Sequence, residues 1–238
     1  MSQNFELLSQ LETELSLRVT PGTIPQAEKS VCETQPVAFN QDLLNVVQTV
    51  FLSGNGNAPH QVVLCGVDNE SGSSRICIKL GRILASYSSQ PVCLVDADTR
   101  SSRLSGLLTE GRDTIIARTA HERLEQIETN LWLASLDTLD ITHKNTLAQE
   151  NQLKERLEKL KESFQFILID APGINSRSDA AILGQLVDGA ILIIEANATR
   201  KVAAVKAKEA MEAMNVRLLG CILNNRTFPL PERLYRRL

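Results

Sequence analysis

A glycine- and serine-rich loop ending in Gly72-Ser73-Ser74 separates an apolar run from a helix candidate. Residues 62–65 predict a strand before the loop, and residues 92–95 predict another after the helix. Between them, apolar residues recur at helical spacing, namely Ile76, Leu80, Ile83 and Leu84. In a βαβ unit of this kind, the loop and the first turn of the helix point at whatever binds beyond the carboxyl ends of the strands. Phosphate is therefore the expected ligand of this loop.

Carboxylates end two of the predicted strands. Asp96 and Asp98 follow residues 92–95, and their alternation directs both side chains to the same side of a strand end. Asp170 ends a third run, 166–169, which is apolar throughout, as expected of a strand buried on both faces of a parallel sheet. One aspartate in such a place often only terminates a strand. The three together become candidates for catalysis because each lies in a recognisable motif.

Composition and charge fit one globular domain and argue against a nucleic-acid binder. With 238 residues, 43% of them hydrophobic, the chain is long enough for one well-buried α/β domain and short for two. Aromatic residues make up only 4%, too few for stacking platforms along single-stranded nucleic acid. The formal charge of −3 and the pI near 5.7 give no electrostatic reason to bind DNA. We therefore expect no nucleic-acid partner.

The five cysteines show no disulfide or zinc pattern, since no two are spaced as C-x-x-C. Four of them, Cys65, Cys77, Cys93 and Cys221, lie in apolar segments and are expected to be small core residues of a reduced protein. The N-terminus has no apolar signal region, and no run approaches the length of a membrane span. We expect a cytoplasmic protein that reaches the inner face of the cytoplasmic membrane only through a partner or a surface segment.

Turn residues and apolar periodicity divide the chain into three parts. Residues 1–37 predict a short amphipathic helix and a proline-containing linker, residues 38–226 the main domain, and residues 227–238 a short basic tail. Further helices are predicted at 40–52, around 120–128, over 153–164, from Ser178 or Asp179 to 187, and at 199–214; further strands are predicted at 131–134, 190–194 and 218–223. This alternation predicts an α/β fold, a doubly wound and mostly parallel sheet flanked by helices.

Three motifs give the chain a family resemblance: the loop before Ser74, the acidic stretch LVDADTR at 94–100, and FILIDAPG at 166–173 in the Walker B position. Together they resemble the bacterial tyrosine kinases, the cytoplasmic autokinases of capsular and exopolysaccharide systems, within the MinD- and ParA-like deviant P-loop ATPases. Stretches 130–133, 178–180 and 219–224 agree in order and spacing, so the resemblance covers roughly residues 38–226. The resemblance implies a P-loop NTPase fold.

The match fails at the end of the phosphate loop. A P-loop supplies Gly-Lys-Ser/Thr there, the lysine bridging the β- and γ-phosphates and the hydroxyl binding Mg²⁺. In this chain Ser73 takes the lysine position, and the preceding residues lack the usual glycines while Asp68 and Glu70 add negative charge. Loss of one charge-assisted hydrogen bond would weaken ATP binding roughly ten- to a hundredfold. The Walker A motif is therefore degenerate.

By resemblance, the cofactors would be ATP or ADP with Mg²⁺. Asp96 would help to hold the metal, Asp98 would act as the base or as a second metal contact, and Asp170 would hold the metal through water. The hydroxyl of Ser74 would be a further metal ligand. Nucleotide contacts would come from Gly72, Ser73, Ser74, Arg75 and, at the adenine, Asn224. Arg75 and Lys79 follow the loop closely enough to lend charge, but residues flanking an apolar helix stripe are expected to face solvent.

Two family features are altered as well. The helix before the loop reads FNQDLLNVVQ at 39–48, without the acidic and basic E-x-x-R type motif that supports ring assembly, and the tail contains only Tyr235 in place of a tyrosine cluster. Both changes count against an autokinase that works as a phosphorylated ring. These residues do not decide whether the chain forms a homo-oligomer.

The leading hypothesis is a regulatory pseudokinase of capsule or exopolysaccharide production with weakened or lost phosphotransfer. Its partner would be a membrane-bound polysaccharide co-polymerase, a chain-length regulator or kinase activator. The main alternative is an active tyrosine autokinase in which Arg75, Lys79 or a residue of another subunit replaces the lysine. A MinD- or ParA-like positioning ATPase is a third hypothesis. It is weaker because LVDADTR and the context of 130–133 favour the tyrosine kinases.

Overall fold

The computed structural model describes residues 41–52, 58–98, 103–109, 115–119, 122–135 and 147–226. All of them belong to the unit Phe39–Leu238. The helix and linker predicted for 1–37 and the basic tail at 227–238 lie outside the described residues, and so does Tyr235.

Eight strands form one sheet in the described part of the chain. They are β1 (Gln61–Gly66), β2 (Val92–Asp96), β3 (Ile115–Thr119), β4 (Glu122–Glu128), β5 (Leu131–Ser135), β6 (Phe166–Ala171), β7 (Gly189–Glu195) and β8 (Leu218–Asn224). The strand order is β3-β4-β5-β2-β6-β1-β7-β8. Every pairing from β5 to β8 is parallel, whereas β3 and β4 add an antiparallel hairpin at one edge. The predicted doubly wound, mostly parallel sheet is confirmed.

Within the described residues, six helices cover the two faces of the sheet: α1 (Gln41–Val50), α2 (Ser73–Tyr87), α3 (Arg103–Thr109), α4 (Leu147–Ser163), α5 (Asp179–Leu186) and α6 (Lys201–Ala213). The alternation of side chains along a strand sends Val62 and Leu64 of β1 into the core with α1 to α3, and Val63 and Cys65 into the core with α4 to α6. The central strands β1, β2 and β6 are buried at every residue, which explains their uninterrupted apolar runs.

The helix predicted around 120–128 is wrong. Residues Glu122–Glu128 form β4, which pairs with β3 on one side and β5 on the other. Leu124 and Ile127 would share a face on a helix, but on a strand they point to opposite faces, and they pack in the two opposite cores. The backbone hydrogen bonds offered by β5 therefore outweigh the helix propensity of the local sequence.

The cysteine expectation holds at three of four positions. Cys65, Cys77 and Cys93 are buried, and burial raises the pKa of the Cys65 thiol to about 12. Cys221 is exposed, contrary to the prediction, because β8 has a neighbour on only one side in the described sheet. The apolar character of β8 gave no sign of this edge position.

Ser178 precedes α5 as predicted, but its side chain makes no capping hydrogen bond. No helix within the described residues is long and apolar enough to cross a membrane.

Candidate functional site

Two of the predicted catalytic carboxylates meet at the carboxyl edge of the sheet. Strand β6 lies between β2 and β1, and Asp96 is paired in register with Asp170. Both residues are 2% exposed. We call Asp96, Asp98 and Asp170 the acidic edge.

The Asp96 carboxylate accepts hydrogen bonds from neighbouring groups of the protein. Its Oδ2 accepts hydrogen bonds from the backbone N–H and the hydroxyl of Ser105, at 3.0 and 2.7 Å, and its Oδ1 accepts one from the backbone N–H of Asp98 at 3.2 Å. Burial raises the pKa of Asp96, and the hydrogen bonds from Ser105 oppose that rise. Both oxygens are therefore engaged within the protein.

Asp170 is the most strongly perturbed carboxyl of the acidic edge. Burial raises its pKa from 3.8 to about 7; the hydrogen bond from the Ser74 hydroxyl lowers it, and the neighbouring Asp96 raises it further. The hydroxyl of Ser73 is a second donor to Asp170. Its Oδ1 is buried without a hydrogen-bond partner. The residue in the lysine position thus contributes a hydroxyl beside Asp170 and no positive charge.

Asp98 is paired with a cation from the loop after β6. Arg177 Nη1 lies 3.6 Å from Asp98 Oδ1, and Arg177 Nε lies 3.4 Å from Asp179 Oδ2. Each of Asp98 and Arg177 has 17% of its side chain exposed. The carboxylate of Asp98 therefore has a cationic neighbour within the protein.

The phosphate loop is closed on itself and tied to its neighbours. The Ser71 hydroxyl donates to the carbonyl of Asp68 at 2.8 Å, and Asn69 Oδ1 accepts the backbone N–H of Gly173 at 3.0 Å. Asn224 Nδ2 donates to the carbonyl of Ser71 at 3.0 Å, so the residue expected at the adenine also anchors the loop. These bonds fix the loop to β6 and β8.

Gly72 turns the chain from the loop into α2. It is the N-cap of the helix and has a φ of +80°, in the left-handed region that favours glycine. A Cβ at this position would lie 2.5 Å from Asn224 Nδ2. The glycine is therefore required both by its φ and by the close approach of Asn224.

An open cleft of about 590 Å³ lies in front of the start of α2. Its cationic lining residues are Arg75, Lys79 and Arg103, and its carboxylate is Glu70. We call it the basic cleft. Gly72, Ser73, Ser74, Asn224 and Asn225 are also among its lining residues. Arg75 and Lys79 are exposed, as expected, yet they line the same cleft as the loop.

The structure divides the predicted site residues into two groups. Gly72, Ser73, Ser74, Arg75 and Asn224 line the basic cleft, whereas none of the three aspartates does. The sequence analysis missed four residues that shape the site, namely Asn69, Arg103, Ser105 and Arg177. Arg177 directly precedes the matching stretch Ser178-Asp179-Ala180, so the sequence could have indicated it as a site residue. Ser105 and Arg103 carry no motif and become visible only through the position of α3.

Comparison with known proteins decides the family. The family model described as "ATPase MipZ" matches residues 60–193, more than half of the chain. The tyrosine-protein kinase CpsD of Streptococcus agalactiae serotype III is 30% identical over 192 residues, which cover 77% of this chain and 82% of that protein. This chain belongs to the bacterial tyrosine-protein kinase family. Tyrosine-protein kinase YwqD of Bacillus subtilis is 25% identical over 219 residues, covering 89% of this chain and 92% of that protein.

Solved structures agree on the fold of this bacterial tyrosine-protein kinase family member. The chimerical protein CapA2B2 superposes with a TM-score of 0.61 at 18% identity, covering 82% of this chain and 88% of that one. The VpsO kinase domain superposes with a TM-score of 0.57 at 22% identity, covering 79% and 97%. The predicted resemblance and fold class are both confirmed.

Nucleotide and Mg²⁺ use is a property of the P-loop ATPases to which the bacterial tyrosine-protein kinases are related. The predicted metal ligands here were Ser74, Asp96 and Asp170. Both oxygens of Asp96 already accept hydrogen bonds, the Ser74 hydroxyl donates to Asp170, and only Asp170 Oδ1 lacks a partner. Among the described residues, no group of three or more His, Cys, Asp or Glu side chains could hold a metal ion. The Ser74 hydroxyl keeps its lone pairs and Asp170 Oδ1 has no partner, so these two oxygens would hold a Mg²⁺ ion whose other ligands are phosphate oxygens and water.

Proposed function

We propose that this protein is a regulatory pseudokinase of the bacterial tyrosine-protein kinase family, which takes part in capsule or exopolysaccharide production without transferring phosphate. One observation carries the proposal: Ser73, a residue without positive charge, stands in the position of the phosphate-loop lysine. Phosphoryl transfer depends mainly on positioned positive charge. Without the lysine, the loop has no side-chain cation of its own.

The acidic edge supports the same conclusion. Asp98, the expected base, is paired with Arg177, and Asp96 is enclosed by Ser105 and the backbone of Asp98. A pKa of about 7 leaves much of Asp170 protonated at neutral pH. The three carboxyl groups thus contact serine hydroxyls, backbone N–H groups and Arg177 of the protein itself, and we infer that the acidic edge acts as structure.

The partner follows from the family resemblance. We expect the sheet and helices to serve as a binding scaffold for a membrane-bound polysaccharide co-polymerase, a chain-length regulator or kinase activator. In this role the protein is cytoplasmic and comes to the inner face of the membrane through that partner.

The test is phosphotyrosine detection after incubation of the purified chain with ATP and Mg²⁺, with the CpsD relative as a positive control. No signal above a sample without ATP is expected. Phosphate on Tyr87 or Tyr235 that disappears in an Asp96→Ala variant would overturn the proposal. Tyr87 has 58% of its surface exposed, so its accessibility does not limit the assay.

An active autokinase is the second candidate, because Arg75, Lys79 and Arg103 line the same cleft as the loop. These cations would then replace the lysine at the phosphates. In that case phosphotyrosine would form, and Arg75→Gln or Lys79→Gln would reduce its rate. ATP hydrolysis without phosphotyrosine would favour the third candidate, a positioning ATPase.

A further inference from the structure

Strand β8 lies at an edge of the sheet and carries no charge. Within the described residues it pairs only with β7, and its seven residues read LLGCILN. Edge strands usually carry a lysine, a proline or a bulge that prevents them from pairing with another chain. The irregularity of β8 is a register shift opposite Ala190 and Ile191, at the start of the strand. From Gly220 to Asn224 the edge therefore has none of these protections.

The free side of β8 presents backbone donors and acceptors. The carbonyl of Asn224 accepts a hydrogen bond from the N–H of Ala196, on the side of β7. Because backbone groups of successive residues in a strand point to opposite sides, those of Cys221 and Leu223 point away from β7. Cys221 is exposed, and Leu223 is 52% exposed. A further strand could therefore form hydrogen bonds with both residues.

An apolar groove of about 280 Å³ runs beside this edge, between β8 and α1. Val46 and Val50 of α1 line one wall, and Leu219 and Ile222 of β8 line the other. Gly220 is also a lining residue, and a Cβ placed there would meet no atom within 4 Å. We call it the edge groove. It has room for an apolar side chain that comes from beyond the edge.

The edge is complementary to a second copy of itself. In an antiparallel pair with Cys221 opposite the partner subunit's Cys221, Gly220 lies opposite Ile222 of the partner subunit. Residues directly opposite each other share one face of the sheet, so that isoleucine would enter the edge groove beside Gly220. By the two-fold symmetry, Ile222 of the first copy would enter the groove of the partner in the same way.

The edge is long enough for a small interface. Seven residues at about 3.4 Å each span about 24 Å, and half of a helix of about 10 Å diameter on each face adds to the sheet to give a height of about 20 Å. Each copy would bury roughly 500 Å², and the total of about 1,000 Å² is the lower limit for a specific interface. An interface of this size predicts a reversible dimer.

We propose that β8 is the contact surface of a reversible homodimer, in which the edges of two copies pair antiparallel about Cys221 and extend the sheet across the interface. A second copy is the occupant because the uncharged edge offers no counter-charge to a charged strand and does not repel an identical one. The surface lies three strands away from β6, so the proposal is independent of the loss of phosphotransfer.

Sedimentation velocity of the full chain, from about 1 to about 200 μM, tests the association. A concentration-dependent shift from monomer to dimer is expected. A monomer at every concentration would overturn the proposal and would leave the edge to another segment of the chain or to a different protein. Phosphotyrosine formation bears only on the proposed function and does not enter this test.

Charged variants locate the interface. Cys221→Lys places like charges directly opposite each other and should weaken association at least about tenfold; Leu223→Lys, at the second outward position, should act in the same direction. The matched control is Val202→Lys on α6, where the parent side chain is 79% exposed. The control should dimerise like the parent protein. Equal association of all three variants would overturn the assignment of the edge, and thermal unfolding checks that each is folded.

Cross-linking with a short bis-maleimide tests the register. In a Cys32→Ser background, Cys221 is the exposed thiol of the described residues, and the two copies should be linked because opposed Cα atoms lie about 5.5 Å apart in a hydrogen-bonded pair. Leu223→Cys in a Cys32→Ser, Cys221→Ser background should give little product, since its thiols would be four residues, about 14 Å, apart along the strands. Equal or greater cross-linking at position 223 would overturn pairing about Cys221.

Discussion

The acidic edge and the basic cleft both adjoin the phosphate loop and differ in what they contact. The aspartates of the acidic edge contact Ser105, Ser74 and Arg177 of the protein itself. In the basic cleft, Arg75 and Lys79 extend into solvent without a described partner. The aspartates of the family motifs are therefore engaged within the protein, whereas the cations of the cleft lie outside those motifs.

This difference gives a simple expectation for mutations. Changes in the acidic edge should alter the free energy of unfolding and leave ligand affinity alone, and changes in the basic cleft should do the reverse. Any residue that alters both belongs to the boundary between them.

The largest effect is expected at Asp170. Its pKa is about 7 in the folded protein and 3.8 without the surrounding structure, so between these values the folded state keeps a proton that the unfolded chain releases. Stability therefore falls as the pH rises from about 4 to about 7 and stays low above it. Asp170→Asn removes this fall and should stabilise the protein at pH 8 by up to about 4 kcal/mol, with no gain at pH 4.

Urea denaturation at pH 4 and pH 8 measures this difference. Asp68→Asn, an exposed carboxylate of the adjacent loop, is the control and should change stability by less than about 0.5 kcal/mol at either pH. A pH-independent effect of Asp170→Asn would show that its charge is already well compensated in the fold.

Gly72 lies at the boundary between the two regions. Gly72→Ala forces an L side chain to a φ of +80° and places its Cβ 2.5 Å from Asn224 Nδ2. We expect a loss of about 2–3 kcal/mol, from the left-handed conformation and the displaced hydrogen bond to Ser71. The measurement is a double-mutant cycle with Asn224→Ala in urea.

In that cycle the two losses should be less than additive, because Asn224→Ala also removes the clash. Fully additive losses would mean that the strain at Gly72 comes from its φ alone. Both single variants should also weaken ADP binding, since both residues line the basic cleft.

Ser105→Ala tests how much the hydrogen bond to Asp96 in the acidic edge contributes to stability. It removes the hydroxyl donor 2.7 Å from Asp96 Oδ2, a bond to a charged group, and should cost about 2 kcal/mol. The loss should be larger at pH 8 than at pH 4. The Ser105 hydroxyl stabilises the ionised form of Asp96, and because burial raises the pKa of Asp96, that form is more populated at pH 8.

The control is Ser86→Ala, which removes a hydroxyl 2.7 Å from the neutral carbonyl of Ile83. Its cost should be about 1 kcal/mol or less and the same at both pH values. ADP affinity should stay unchanged in both serine variants. A loss of affinity in Ser105→Ala alone would show that the acidic edge contributes to ligand binding in the basic cleft.

The smallest effect on stability is expected in the basic cleft. Arg75→Gln and Lys79→Gln should each change the free energy of unfolding by less than about 0.5 kcal/mol, since exposed cations without partners contribute little. Denaturation midpoints measured beside titration calorimetry with ADP check this. A loss above about 1 kcal/mol would indicate a structural role for the side chain.

The sequence predicted the parallel part of the fold well. Strands such as β1 and β6 are buried on both faces, and burial of that kind leaves a continuous apolar run that needs no context to interpret. β4 was misassigned because Leu124 and Ile127 satisfy helical spacing as readily as opposite strand faces, and only the pairing with β5 decides between them. Cys221 was misplaced for a related reason, since a sheet edge is a property of strand order.

The motifs located the site, and distant contacts determined its state. Asp96, Asp170 and the loop come together because strand order brings β2, β6 and β1 side by side, as the fold class required. The pairing of Asp98 with Arg177 and the support of Asp96 by Ser105 depend on how α3 and the loop after β6 pack. Side-chain contacts of this kind leave no periodic trace in the sequence.

The exposed edge cysteine has a practical consequence. Cys221 is the accessible thiol of the described residues, whereas Cys65, Cys77 and Cys93 are shielded. It precedes Asn224 by three strand residues, roughly 10 Å, so a fluorophore attached there in a Cys32→Ser background would sit close to the basic cleft. Such a label would turn occupancy of the cleft into an optical signal, and the same preparation could follow ligand and partner in real time.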